Sequence, residues 1–176
     1  MKPSSKKRNP EGPIDMAEPA PTREAAPADR WELTSRRQDV VAFLPASRPR
    51  YLMGMGTPRD LLTFATMGYD LFDCVLPTRN GRNGMLFTRE GKVMIRNARY
   101  ARDCLPVDEK CGCYTCRTYS RGVLRHLVLS NEMLGAQLAS LHNLHFYQTV
   151  MAEMRAALRE GTFPARARLA AGVWAG

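Results

Sequence analysis

Three cysteines fall within six residues, Cys111-Gly112-Cys113-Tyr114-Thr115-Cys116, and His142 follows with 25 residues between it and Cys116. Three thiolates and an imidazole make the soft, four-ligand cage that structural zinc prefers, closed against water and therefore not itself catalytic. Clustered cysteines can also be disulfide-bonded or simply buried. Cys111 and Cys113 are too close in sequence to bridge easily, and the opening Met1-Lys2-Pro3-Ser4-Ser5-Lys6-Lys7-Arg8 leads into no apolar core of a signal peptide. One Zn²⁺ ion on Cys111, Cys113, Cys116 and a histidine is the expectation. His142 is the candidate fourth ligand, with His126 and His145, also on C-terminal helical segments, competing on spacing alone.

The second chemistry is that of a carboxylate. Asp73 falls in the second of two predicted buried strands, near its carboxyl end, where α/β folds place active-site groups. Between Phe72 and Cys74 it would be partly desolvated and able to serve as nucleophile or base. The alternative is an aspartate that only caps the next turn. Asp70 sits at the start of the strand and is the poorer candidate, and Cys74 has no histidine nearby in sequence to activate it. Arg79 and Arg82 follow on glycine-rich turns, where their forks suit phosphates and base edges. Arg96, Arg99 and Arg102 extend the basic run, individually as solvated surface or together as a stripe able to track a phosphate backbone.

These residues need a frame. Helix is expected from Trp31 to Leu44, ended by Pro45, with Pro49 closing an extended linker. Arg50 to Gly56 reads as a buried strand running into a tight loop. Thr57 and Pro58 then cap and start a helix with Leu61, Leu62, Phe64 and Ala65 on its apolar face, and Gly68 ends it. Tyr69 to Leu76 is the second strand, so the order is strand, helix, strand: a parallel βαβ unit. Asn80-Gly81 and Asn83-Gly84 predict two successive turns, followed by a hairpin of Met85–Thr88 and Lys92–Ile95 about Glu90-Gly91. Two helices finish the fold, one over about 120–129 and a long one over about 131–160, with Ser130 as its N-cap and Gly161 as its stop.

Lys plus Arg number 26 against 17 Asp plus Glu, a net charge of +9. The first 30 residues hold six prolines, five alanines and nearly balanced charge, and read as a disordered tail. The surplus positive charge therefore lies on the remainder and favours a polyanionic partner, nucleic acid first. No run is long and apolar enough for a transmembrane helix. The cytoplasm is the expected compartment, and it suits reduced cysteines.

Taken together, Arg50-Tyr51-Leu52-Met53-Gly54, the run from Phe72 to Gly84, Ile95-Arg96-Asn97-Ala98 and the Cys-x-Cys-x₂-Cys with its late histidine resemble the C-terminal part of the bacterial tRNA-guanine transglycosylases (queuine tRNA-ribosyltransferases). The resemblance runs from about Pro49 to Phe163. It implies a zinc-containing (β/α)₈ barrel that exchanges the wobble guanine of certain tRNAs for a 7-deazaguanine on the way to queuosine, a pentosyltransferase reaction. By the same resemblance Asp73 is the nucleophile that forms a covalent ribosyl intermediate, and Met53 and Gly54 line the base pocket. Arg79 and Arg82 contact the anticodon loop, Cys111, Cys113, Cys116 and His142 are the zinc ligands, and the protein is a homodimer.

The expected fold class is thus α/β: the last two βα units of a barrel plus a hairpin and zinc-binding helical subdomain behind a disordered tail. The expected layout is tail 1–30, helix and linker 31–49, partial barrel and active-site loop 50–84, hairpin, zinc loop and helices 85–163, and tail 164–176. A complete barrel takes roughly 250 residues, and no residue here corresponds to the family's general acid/base aspartate or to the groups that read the base edge. The head to about Arg30 resembles nothing in the family. The expectation is a truncated fragment of the enzyme, and the alternative is a non-catalytic, zinc-stabilised tRNA-binding remnant.

Overall fold

The computed structural model describes residues 40–163. The two expected tails and the first part of the 31–49 segment lie outside the described residues; of its helix, residues 40–43 are seen, and they are helical.

Strand β1 (Tyr51–Leu52) pairs in parallel with β2 (Leu71–Phe72), in the register Tyr51 with Leu71 and Leu52 with Phe72. Between them runs helix α1 (Pro58–Thr66), so the strand, helix, strand order is as the sequence reads. Its start is a full capping box: Asp60 N–H donates to Thr57 Oγ1 at 3.1 Å and Thr57 N–H donates to Asp60 Oδ2 at 3.1 Å, with Pro58 in the first turn. Gly68, at φ +94°, ends it. Both strands are shorter than expected. Gly54, at φ +70°, turns β1 away after Leu52, and β2 then has no partner beyond Phe72.

The largest departure follows. Residues expected as two Asn-Gly turns form helix α2 (Leu76–Arg82), with Pro77 in its first turn. Of the two glycines only Gly84, at φ +81°, adopts the turn conformation and ends the helix. Gly81 is helical and buried, and a Cβ on it would lie 2.8 Å from Ser140 N and 2.9 Å from Ser140 Cα. The glycine therefore permits close helix packing rather than a turn.

Strands β3 (Met85–Thr88) and β4 (Gly91–Met94) form the antiparallel hairpin about Arg89-Glu90. A 3₁₀ turn (Ala98–Tyr100) leads to the cysteine loop, where short helix α3 (Tyr114–Thr118) starts at Cys113. Helix α4 (Arg121–Leu129) has Ser120 as N-cap. The long helix α5 (Met133–Arg159) begins at Glu132, with Asn131 at φ +54° in the link, so Ser130 closes α4 instead of opening α5. Gly161, at φ +69°, stops α5.

Leu86, Val93, Ile95, Val107, Leu124 and Leu138 form one core between hairpin, α4 and the first half of α5. A second joins Leu61 and Leu62 of α1 to Phe87, Phe146, Tyr147 and Met154. The small cluster Leu52, Phe64 and Tyr69 lies beneath β1. Phe87 links hairpin to α5: its ring stacks with Phe146 at 6.3 Å and meets Tyr147 edge-on at 5.4 Å. Among the described residues no helix is long and apolar enough to cross a membrane.

Candidate active site and metal centre

Cys111, Cys113, Cys116 and His142 converge, with their ligand atoms all within 4.8 Å of one another. His142 Nδ1 stands 3.8 Å, 3.5 Å and 3.2 Å from the sulfurs of Cys111, Cys113 and Cys116. Zinc bonds of about 2.3 Å to sulfur and about 2.0 Å to nitrogen place S and N about 3.5 Å apart in a tetrahedron, so one ion fits this cage. His126 and His145 are exposed and lie outside the cluster.

The orientation of the ring is fixed from behind. His142 Nε2 lies 2.8 Å from the Phe87 carbonyl oxygen, an acceptor only, so Nε2 carries the hydrogen and Nδ1 turns its lone pair to the sulfurs. Helix α3 supports the cysteines: the Cys116 N–H donates to Cys113 Sγ at 3.3 Å, and Thr115 Oγ1 donates to the Leu138 carbonyl at 2.8 Å. The hydrogen bond from the Cys116 thiol holds Cys113 well below the ordinary thiol range and pushes Cys116 up. Burial opposes a charged His142 ring, but the contacts with Cys111, Cys113 and the Phe87 carbonyl outweigh it and pull the ring up to about 9. A metal cation takes the place of the proton these groups share, which is why such sites bind metal in competition with protons. Four protein ligands leave no open position, so zinc here supplies folding energy.

Asp73 follows β2 directly. Its Oδ1 accepts from Gly54 N–H at 3.0 Å and from Tyr51 Oη–H at 2.9 Å. No hydrogen bond to Oδ2 is formed among the described residues. Contrary to the expected partial desolvation, the side chain is exposed, because no element among the described residues covers that strand end. The Gly54 amide, and then the Tyr51 hydroxyl, hold the carboxyl below its ordinary range. The result is an ionised, oriented carboxylate with one oxygen tied and one presented.

The neighbouring candidates divide. Gly54 touches Asp73, and Met53 beside it is 71 % exposed. Arg79 and Arg82 stand exposed on α2, which starts three residues after Asp73. Asp70 Oδ2 accepts from Arg50 N–H at 2.8 Å and thereby staples β1 to the start of β2, a structural role. Cys74 donates to the Gly56 carbonyl at 3.3 Å, and burial raises its thiol pKa, so it is no nucleophile.

Two residues escaped sequence reasoning. Tyr51 pairs with Leu71 in the register, and Asp73 lies two residues on, so the Tyr51–Asp73 contact is a diagonal cross-strand pair. That contact becomes legible once parallel register is known. Asn143 is fully buried: Nδ2 donates to the carbonyls of Pro77 at 2.9 Å and Met85 at 3.0 Å, and Oδ1 accepts from Phe87 N–H at 3.0 Å. It ties the first turn of α2 to the start of β3, while its neighbour His142 holds the Phe87 carbonyl. Metal centre and α2 are thus joined through the β3 residue Phe87. An asparagine in mid-helix was the available signal.

A family model described as queuine tRNA-ribosyltransferase matches residues 23–172. The chain belongs to the queuine tRNA-ribosyltransferase family. It is 55 % identical over 136 residues to the queuine tRNA-ribosyltransferase of Acidithiobacillus ferrooxidans, covering 77 % of this chain and 37 % of that protein. The proteins of that name from Thioalkalivibrio sulfidiphilus and Nitrosomonas europaea are each 57 % identical, over 126 and 125 residues, or 72 % and 71 % of this chain and 34 % of theirs. The chain thus spans about a third of the length of these relatives. For a family whose fold is a (β/α)₈ barrel, the parallel β1-α1-β2 unit and the zinc-type Cys₃His cage are in keeping with membership.

Proposed function

We propose that this chain supplies the nucleophile and the zinc-bound lobe of a tRNA-guanine transglycosylase, with β1-α1-β2 as the last two βα units of its barrel. The arrangement at Asp73 carries this reading: a carboxylate tied through Oδ1 to Gly54 and Tyr51, presenting Oδ2 at a strand end, with two arginines on the next helix. Oδ2 attacks the ribose anomeric carbon of the wobble nucleotide. The C1′–N9 bond breaks, and guanine leaves with its electron pair and gains a proton from a general acid. The incoming 7-deazaguanine gives its N9 proton back to that acid's conjugate base and displaces the aspartyl carboxylate through N9, and two inversions give net retention. Met53 and Gly54 line the base pocket, and Arg79 and Arg82 hold the anticodon loop. The compartment is the cytoplasm, consistent with five cysteines that form no disulfide. Dimerisation uses the zinc-side helices, where Val123, Leu134, Leu141 and Leu144 are exposed, and mass measurement in solution tests it.

The decisive experiment is exchange of labelled guanine into unmodified tRNA by the zinc-loaded chain, with Asp73→Asn as control. Exchange lost in the control supports the enzyme. The exposure of Asp73 favours one second reading, a tRNA-binding remnant. Zinc and tRNA retained with no exchange supports that one.

A further inference from the structure

Residues 79–102 carry seven basic side chains and one acid, Glu90. The hairpin sorts them. Arg89, Glu90 and Lys92 lie at or beside its turn, whereas Arg82 and Arg96 flank its open end, where Met85 pairs with Met94. There the Arg96 Nε–H donates to the carbonyl of Asn83, the C-cap of α2, at 3.4 Å, and Arg125 Nε–H from α4 donates to the carbonyl of Asn97 at 3.0 Å.

Each guanidinium is tied at Nε alone. A guanidinium has five N–H donors, and the outer fork is the part that matches a phosphate. Arg82, Arg96 and Arg125 have no carboxylate partner among the described residues. Arg99 differs: it turns onto Tyr100, bonding the hydroxyl with its guanidinium carbon 4.6 Å from the ring centroid, towards a cleft of about 410 Å³ shared with Asp103, Asp108 and Arg121. The stripe suggested by the sequence is thereby split, and the arginine from α4 takes the place of Arg99. Capping the end of α2 explains one donor of Arg96 but neither the free forks nor the alignment of Arg125.

We infer that Arg96 and Arg125 form a phosphate-tracking ridge that starts beside Arg82 and holds the RNA backbone outside the anticodon loop. The inference rests on the tRNA reading above. The ridge begins at the end of α2 farther from Asp73, so it meets nucleotides other than the one being exchanged. Contacts of this kind set position and affinity and carry no base preference.

The test is fluorescence anisotropy of the zinc-loaded chain with unmodified tRNA and with a single-stranded anticodon-loop oligonucleotide, across a potassium chloride series. R96Q/R125Q removes charge and keeps a donor for each carbonyl; R96K/R125K keeps the charge. Two lost phosphate contacts reduce the salt slope by about 1.5 to 2 and weaken tRNA binding roughly tenfold or more. The expected result is that loss in the glutamine pair for tRNA of any anticodon, little change for the loop oligonucleotide, and a slope kept by the lysine pair. Unchanged binding in the glutamine pair, while R79Q/R82Q is weakened, overturns the ridge and leaves the tRNA reading standing. Equal weakening of both pairs at an unchanged slope also overturns it, because the two arginines then act only through the fold. Wild-type chain that shows no salt-dependent RNA binding overturns both.

Discussion

The two oxygens of Asp73 are divided, Oδ1 bonded and Oδ2 presented. Gly54 N–H and Tyr51 Oη–H both bond Oδ1, and both favour the charged form. The folded pKa is therefore depressed below the unfolded value of about 3.9. A group of this sign contributes its stabilisation above the unfolded pKa and loses it as pH falls through the folded one. Tyr51→Phe should move the Asp73 carboxyl back up toward the ordinary range and leave Gly54 as its only donor among the described residues. Carbon-detected NMR titration reads this directly, and an Asp73 titration identical in the two proteins would refute it. The Asp73 position was legible from its place in a predicted strand. Tyr51 was not, because a partner that lies 22 residues away in sequence is named only by register.

The elements turn on the contact between α2 and α5. Local propensity favours turns at Asn80-Gly81 and Asn83-Gly84, and one of these exists; the other lost to packing, which sequence periodicity over seven residues does not reveal. Gly81→Ala separates the two influences. Propensity alone would raise helix stability by about 1 kcal/mol, but the new methyl would meet Ser140 backbone, which does not move aside. Overpacking of this kind costs about 1–3 kcal/mol, so the variant should melt lower, and a higher melting temperature would show that α2 is not seated as described. Asn143→Ala tests the same seam by deletion. It strands Phe87 N–H and the Pro77 and Met85 carbonyls in the core, at about 1–3 kcal/mol for each group left unsatisfied. The expected outcome in denaturant unfolding of the zinc-loaded protein is a loss on the order of 3 kcal/mol. Stability within about 0.5 kcal/mol of the parent would contradict the clamp.

Across the molecule the two sides of Phe87 are unequally built. The zinc cage, hairpin, α3, α4 and the first half of α5 share one core and a metal that links a loop to a helix. On the other side, β1 and β2 make a two-residue parallel pair, and Tyr51, Met53, Leu71 and Val75 stand exposed along it. Parallel strands are ordinarily covered on both faces and flanked by further strands. Among the described residues, what packs there is α1, the small Leu52, Phe64 and Tyr69 cluster with Val41 and Leu44, and the α5 cluster at Phe72. In zinc-loaded chain on its own, amide exchange should therefore be slow at Leu86, Val93 and through α5, and fast from Tyr51 to Leu76, since local opening follows local burial. Chelation should release the slow set as well, because the ligand loop then holds no structure that its hydrophobic residues alone sustain. Strong protection at Leu52 and Phe72 in the isolated chain would mean that the parallel pair draws its stability from α1 and α5 through Leu61, Leu62 and Tyr147, and that the Asp73 site is rigid without any further strand beside it.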